Sequence, residues 1–308
     1  MEIYNLQIDL SDGYVYYYGR EIGIITKIDE ENSIMNFMND FNMEIPDLVI
    51  NMFIRNKVTH INFKKWGDFN FSLDNLPSHI KTLSIGNSFN QPINKLPKSL
   101  EKLVIGDDFN YPLNNLPTKL KILRLGDSFN HPLNNLPPLL EELLLGFKFS
   151  KQLDNLPSKL KILRTGHFFN HPLDFLPDGL QILYVGEFFD HELNNLPSTI
   201  KFLSIECNID YEHSQNNLPD SIETLRYKYR SVIRIDRLPA SLKEIYYYFE
   251  DEDDENLYEN NTNLNSSHED EDEDEDEDDE EQYEDEDNYD KIPKKFISFE
   301  EALLINKE

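Results

Sequence analysis

The chain is short of nearly everything that would let it carry chemistry of its own. It has one cysteine, Cys207, in 308 residues, so no internal disulfide forms and no thiolate zinc site can be assembled from it alone. Only 11 glycines occur, and none falls in a phosphate-cradling loop; a paired-histidine metal motif and a serine elbow are also missing. No stretch approaches the roughly 18 apolar residues of a membrane span. The segment Met1-Glu2-Ile3-Tyr4-Asn5-Leu6 lacks the basic-then-apolar order of a secretory signal. These absences lead us to expect a soluble cytoplasmic protein that is not an enzyme and needs no cofactor or metal.

Positive charge is scarce as well, with 29 Lys and Arg against 59 Asp and Glu. The deficit is unevenly placed. Residues 250–290 hold 25 acidic and no basic residues, and 291–308 hold four Lys and three Glu, or +1. Residues 1–249 therefore carry −30 + 25 − 1 = −6. Thirteen consecutive acidic residues, Glu269 to Glu281, form a block that repels itself, and we expect disorder there. Such a segment serves as a solubilising tail or as a contact for basic proteins. Beyond it, Phe296-Ile297-Ser298-Phe299-Glu300-Glu301-Ala302-Leu303-Leu304-Ile305 predicts a short helix with a capping box from Ser298 to Glu301. It either docks back on the folded part or is a linear motif for a partner.

What the chain has in quantity is repetition, the first thing to seek in any sequence. Leu-Pro recurs at 76–77, 96–97, 116–117, 136–137, 156–157, 176–177 and 196–197, always 20 residues apart, then at 218–219 and 238–239. Gly86, Gly106, Gly126, Gly146, Gly166 and Gly186 keep the same period, as do Phe89, Phe109, Phe129, Phe149, Phe169 and Phe189. Between them Ile80-x-x-Leu83-x-Ile85 has the spacing of a short strand, with Leu83 and Ile85 on one side and Thr82 and Ser84 on the other. Of 16 prolines, nine stand in the Leu-Pro column and four in the column of Pro92. Proline is thus confined to connections, where no ladder hydrogen bond is needed. One such unit buries too little apolar surface to order itself, so the turns must stack. The Asx column Asn94, Asn114, Asn134, Asp154, Asp174 and Asn194, and the asparagines Asn90, Asn110, Asn130 and Asn170, are expected to satisfy turn backbone groups.

Phe89-Asn90-Gln91-Pro92-Ile93 followed by Leu96-Pro97-x-x-Leu100-x-x-Leu103-x-Ile105-Gly106 resembles the FNIP repeat family, leucine-rich-repeat-like proteins known from amoebae and the large DNA viruses that infect them. Phe109-Asn110-Tyr111-Pro112, Phe129-Asn130-His131-Pro132 and Phe169-Asn170-His171-Pro172 repeat the match, and the resemblance covers about 70–249. Departures fall at Phe149-Ser150-Lys151-Gln152, at Phe189-Asp190-His191-Glu192, and at Glu206, which replaces a glycine. The resemblance implies a repeat solenoid with a leucine-rich-repeat-like parallel β-sheet, irregular loop returns and few helices. It implies host-cell cytoplasm if the source is viral. Some family members carry an F-box before the repeats and are thought to present targets to a ubiquitin ligase; here the candidate is 45–54, which leaves little room for the helices an F-box needs.

The expected organisation is an N-terminal cap at 1–57, a solenoid of about nine 20–22-residue turns at 58–249, the acidic segment 250–290 and the C-terminal helix 291–308. Within the cap, strands are expected near 3–9 and 14–18, a turn at Ser11-Asp12-Gly13, and short helices over 32–41 and 46–54. The outward strand positions form two columns: Thr82, Lys102, Ile122, Glu142, Ile162, Ile182, Phe202, Thr224, Glu244; and Ser84, Val104, Arg124, Leu144, Arg164, Tyr184, Ser204, Arg226, Tyr246. Solvent-facing positions have no structural need for such a run of large apolar side chains interleaved with arginine, a composition typical of protein-binding hot spots. Ile122, Arg124, Leu144, Ile162, Arg164, Ile182, Tyr184, Phe202, Arg226 and Tyr246 are therefore the expected partner-binding residues, on a monomer. The alternative that β-branched and aromatic residues merely suit strands stays open. A nucleic acid is not expected, because the folded part is net negative and three arginines do not make a phosphate-tracking stripe. His131, His171 and His191 share one loop column, read as variable surface rather than as metal ligands.

Overall fold

The computed structural model describes residues 6–8, 12–207, 217–228 and 237–248. The acidic segment and the C-terminal helix expected from the sequence lie outside these residues. The repeat supplies strands β6 (Thr82–Ile85), β7 (Lys102–Ile105), β8 (Ile122–Leu125), β9 (Glu142–Leu145), β10 (Ile162–Arg164), β11 (Ile182–Val185), β12 (Phe202–Ile205), β13 (Thr224–Lys228) and β14 (Glu244–Tyr248). Ahead of them stand β1 (Leu6–Ile8), β2 (Tyr14–Tyr17), β3 (Arg20–Lys27), β4 (Ser33–Phe37), helix α1 (Asp47–Arg55) and β5 (Val58–Asn62). All fourteen strands form one sheet in chain order. β1 to β4 pair antiparallel, and every pair from β4 onward is parallel. The fold is the leucine-rich-repeat-like parallel solenoid that the repeat implied.

Register follows the 20-residue period without slip: Leu83, Leu103, Leu123, Leu143, Leu163, Leu183 and Leu203 are successive partners, all fully buried. Two hydrogen-bonded turns close most units. The Pro97 carbonyl accepts from Leu100 N–H and the Gly126 carbonyl from Phe129 N–H, and the same pair of turns recurs along the stack. The glycine column is set by close approach rather than by a left-handed backbone. A Cβ on Gly146 would lie 2.4 Å from the carbonyl carbon of Gly126, and one on Gly186 2.3 Å from the Gly166 oxygen.

The phenylalanine column forms a buried spine. Successive rings from Phe69 to Phe189 are stacked with centroids 6.0–6.4 Å apart. Neighbouring strands in a sheet lie about 4.8 Å apart, so the turns fan out on the phenylalanine side and the sheet lines the concave side. The departing unit at Phe149 keeps this geometry, since Phe149 is fully buried and stacked on both neighbours.

The asparagines after each phenylalanine work between turns. Oδ1 of Asn70, Asn90, Asn110, Asn130 and Asn170 accepts the backbone N–H of the equivalent residue one turn on, at 2.9–3.2 Å. A second ladder runs just before the strands, where Lys and Glu alternate. Lys121 bonds Glu101 at 2.7 Å, Lys161 bonds Glu141 at 2.6 Å, and Lys243 bonds Glu223 at 2.5 Å.

One expectation is corrected. Residues 32–41 are not a helix: 33–37 form β4, whose Ser33, Met35 and Phe37 are buried while Ile34 and Asn36 are half-exposed. That period of two places Phe37 against Phe63, stacked at 4.5 Å, and so extends the ring spine toward the N-terminus. The helix expected at 46–54 is α1, which buries Val49, Met52 and Phe53. Among the described residues no helix is long and apolar enough to cross a membrane.

Candidate functional site: the concave sheet and its aromatic rim

Strand alternation sorts side chains as the period dictates. In β6 to β9 and in β11 the first and third residues are half-buried and the second and fourth buried. Ile122, Arg124, Leu144, Ile162, Arg164, Ile182, Tyr184, Phe202, Arg226 and Tyr246 all stand on the concave face, each half-buried. Register makes them neighbours. Ile162, Ile182 and Phe202 are consecutive in one column, and Arg124, Leu144, Arg164 and Tyr184 in the other. Ser204, in the same outward column, is fully buried between its register partners Tyr184 and Arg226.

Two arginines of the band, Arg124 and Arg164, are oriented by neighbours. Arg124 Nε donates to Glu142 Oε1 at 2.5 Å, across from β8 to β9. The side chains of this pair are only 23% and 13% exposed, so water screens them poorly. The Arg164 guanidinium lies 5.1 Å from the Tyr184 ring centroid, and its Nη2 is 3.5 Å from Glu206 Oε1. Glu206 is the residue that replaces a repeat glycine. The departure therefore adds a carboxylate to the face. Tyr184 in turn packs 5.1 Å from Phe202. At the far end the Tyr246 hydroxyl donates to Glu244 at 2.7 Å, and that bond, with burial, raises its pKa.

Sequence reasoning missed a second group. In the turns that follow β9, β10 and β11, Phe147 stacks on His167 at 4.2 Å, and Phe168 stacks on Phe188 at 4.9 Å. Phe147 meets Phe168 edge-on at 5.0 Å, and His167 Nε2 is 2.6 Å from Glu187 Oε2. Phe168 is 41% and Phe188 48% exposed. This aromatic rim sits on the same turns as Leu144, Arg164 and Tyr184, a few residues along the chain. In the preceding turns the rim is acidic: burial, then the neighbouring Asp127, pushes the Asp107 carboxyl up. The signal was available, because Phe147, His167, Phe168 and Phe188 break columns otherwise made of small polar or charged residues (Asn, Asp, Ser, Lys148 and Glu187).

Other candidates resolve into structure. His131, His171 and His191 each donate Nε2–H to the carbonyl of the residue following the preceding turn's aromatic, at 3.0, 3.0 and 3.3 Å. They also pack edge-on against Phe129, Phe169 and Phe189. Cys207 is 1% exposed, and burial drives its thiol pKa far up, which leaves it unreactive.

Comparison with known proteins agrees with this geometry. The FNIP Repeat family model matches residues 89–128 and 169–208. A crystal structure of CroV588, described as a novel circular LRR protein, is similar with a TM-score of 0.52 and 27% identity, over 72% of this chain and 41% of that one. The chain thus spans about two fifths of the length of that giant-virus protein. No curated protein matches the chain.

Proposed function

We propose that this chain, which carries FNIP repeats on a leucine-rich-repeat-like solenoid, is a protein-recognition scaffold that acts as a monomer in the cytoplasm. Its binding site is the concave band over β8 to β13, with Ile162, Ile182, Tyr184 and Phe202 as the apolar anchors and Arg124, Arg164 and Arg226 as the polar ones. The observation that carries the reading is the contiguity of that band. Large apolar and aromatic side chains stand in register on consecutive strands, half-exposed, beside a rim where Phe168 and Phe188 remain substantially exposed. Aromatic and arginine anchors in a shallow concave surface are the usual energetic centre of a protein interface. The work asked of the scaffold is binding rather than chemistry.

In this reading 1–57 covers the first turn's core, 58–249 presents the face, and 250–290 and 291–308 are appendages. A ubiquitin-ligase adaptor in 45–54 has only nine-residue α1 to draw on, and its Val49, Met52 and Phe53 are committed to the core. No observation favours binding of basic proteins by the acidic segment. The test is affinity capture from lysate of the source cells with the full chain, against Ile162→Asp/Tyr184→Ala. Loss of a partner in a variant of unchanged melting temperature supports the reading. An unchanged partner set would refute it.

A further inference from the structure

The sequence carries a second apolar run besides the residues of the concave band. Beyond Tyr248, where β14 ends, 60 residues follow, and their apolar content is concentrated in 296–305, where seven of ten are Phe, Ile, Ala or Leu. Forty-seven residues separate Tyr248 from Phe296. A coil of that length has a root-mean-square reach of roughly 40 Å. From β14 to β10 is four strand steps, about 19 Å at the usual spacing. The reach exceeds the span, so a tethered segment is held near the band at an effective concentration on the order of millimolar.

We propose that residues 296–305 dock in cis on the aromatic half of the concave face, over Ile162, Ile182, Tyr184 and Phe202, and compete there with the protein partner. The proposal rests on the reading of that face as a binding site. Phe296, Phe299 and Leu303 fall at i, i+3 and i+7, the spacing of anchors that an amphipathic helix lays into an apolar groove. Glu300 and Glu301 lie between those anchors and are opposite in charge to the arginines Arg164 and Arg226 that punctuate the band. A partner must then displace a tethered competitor. With a docking constant near 100 μM and an effective concentration near 1 mM, apparent partner affinity falls by about tenfold.

The experiment uses the full chain with a photo-crosslinking phenylalanine analogue at position 299, irradiated over a hundredfold range of protein concentration and mapped by mass spectrometry. Adducts to 142–145, 162–164, 182–185 or 202–205, within one molecule and independent of concentration, support the proposal. Adducts elsewhere, between copies, or none would overturn it. A fluorescent peptide of residues 291–308 is then titrated into the wild-type chain and into Phe299→Asp/Leu303→Asp. The variant should bind the peptide about tenfold more tightly, because its face is unoccupied; equal binding would count against docking in cis. The two readings fail separately. If the crosslinks form but concave substitutions lose no partner, the partner reading falls. If the substitutions lose the partner and no cis crosslink forms, the docking proposal falls alone.

Discussion

Replacing glycine by alanine usually stabilises a protein by about 0.4–1 kcal/mol, because alanine narrows the unfolded ensemble. At Gly146 we expect the reverse. An added Cβ would lie 2.4 Å from Gly126 C, 2.5 Å from Gly126 O and 2.7 Å from Asp127 N, all backbone atoms. An ordinary contact begins near 3.4 Å, so the turns must separate locally by about 1 Å (3.4 − 2.4). That separation strains the ladder between β8 and β9, which register holds from Ile122↔Glu142 to Leu125↔Leu145. Overpacking of this kind costs about 1–3 kcal/mol. Gly179 is the internal control, for its added Cβ would meet nothing nearer than 3.4 Å and its φ is not positive. Gly179→Ala should therefore be neutral or stabilising by up to about 1 kcal/mol. Urea denaturation of wild type and both variants, followed by circular dichroism, decides the matter. A Gly146→Ala chain as stable as wild type would refute the argument that close approach of turns sets the column.

Other predictions follow from the same geometry. Leu143→Ala, at a fully buried position, should cost about 2–5 kcal/mol, whereas Arg164→Ala, which removes a 3.5 Å contact with Glu206 and a cation–π contact with Tyr184 but opens no core cavity, should cost less, about 1–2 kcal/mol; a larger loss at Arg164 than at Leu143 would contradict the inward and outward assignment. Cys207 should resist alkylation in the native chain and react only as the chain unfolds, so rapid labelling without denaturant would show its burial to be wrong. Glu101 and Glu141 have pKa values below the usual 4.5 because Lys121 and Lys161 hydrogen-bond them. Their contribution is present above pH about 4.5 and fades as pH falls through the lowered values. In Lys121→Gln/Lys161→Gln the urea midpoint should fall less between pH 6 and pH 3 than in wild type; parallel curves would mean that the ladder contributes nothing.

The parts of the fold read directly from sequence are those where one physical cause fixes one column. Period 20 with Leu83 and Ile85 on one side of a strand is enough to place Leu103, Leu123 and Leu143 in register and to turn Arg124 and Tyr184 outward. Contacts between turns were less legible. Asn90 and its equivalents looked like local turn formers, yet their Oδ1 atoms accept from the next turn, a contact that exists only once the turns are stacked. The rim of Phe147, His167, Phe168 and Phe188 follows the glycine, where strand alternation no longer assigns direction, so only its break with the column composition announced it. Residues 33–37 fail for another reason. Ile34, Phe37 and Phe41 fit a helical spacing of three and four, but pairing of β4 with both β3 and β5 outweighs that local pattern.

The central claim, that the concave band contacts a partner, is tested most directly by site-specific photo-crosslinking in the source cells. The same analogue is placed in turn at Tyr184 on the band and at Asn135, which is exposed on the return path. The account predicts a discrete covalent adduct to a second protein from position 184 and none from position 135. Adducts of equal yield from both positions, or from 135 alone, would contradict it.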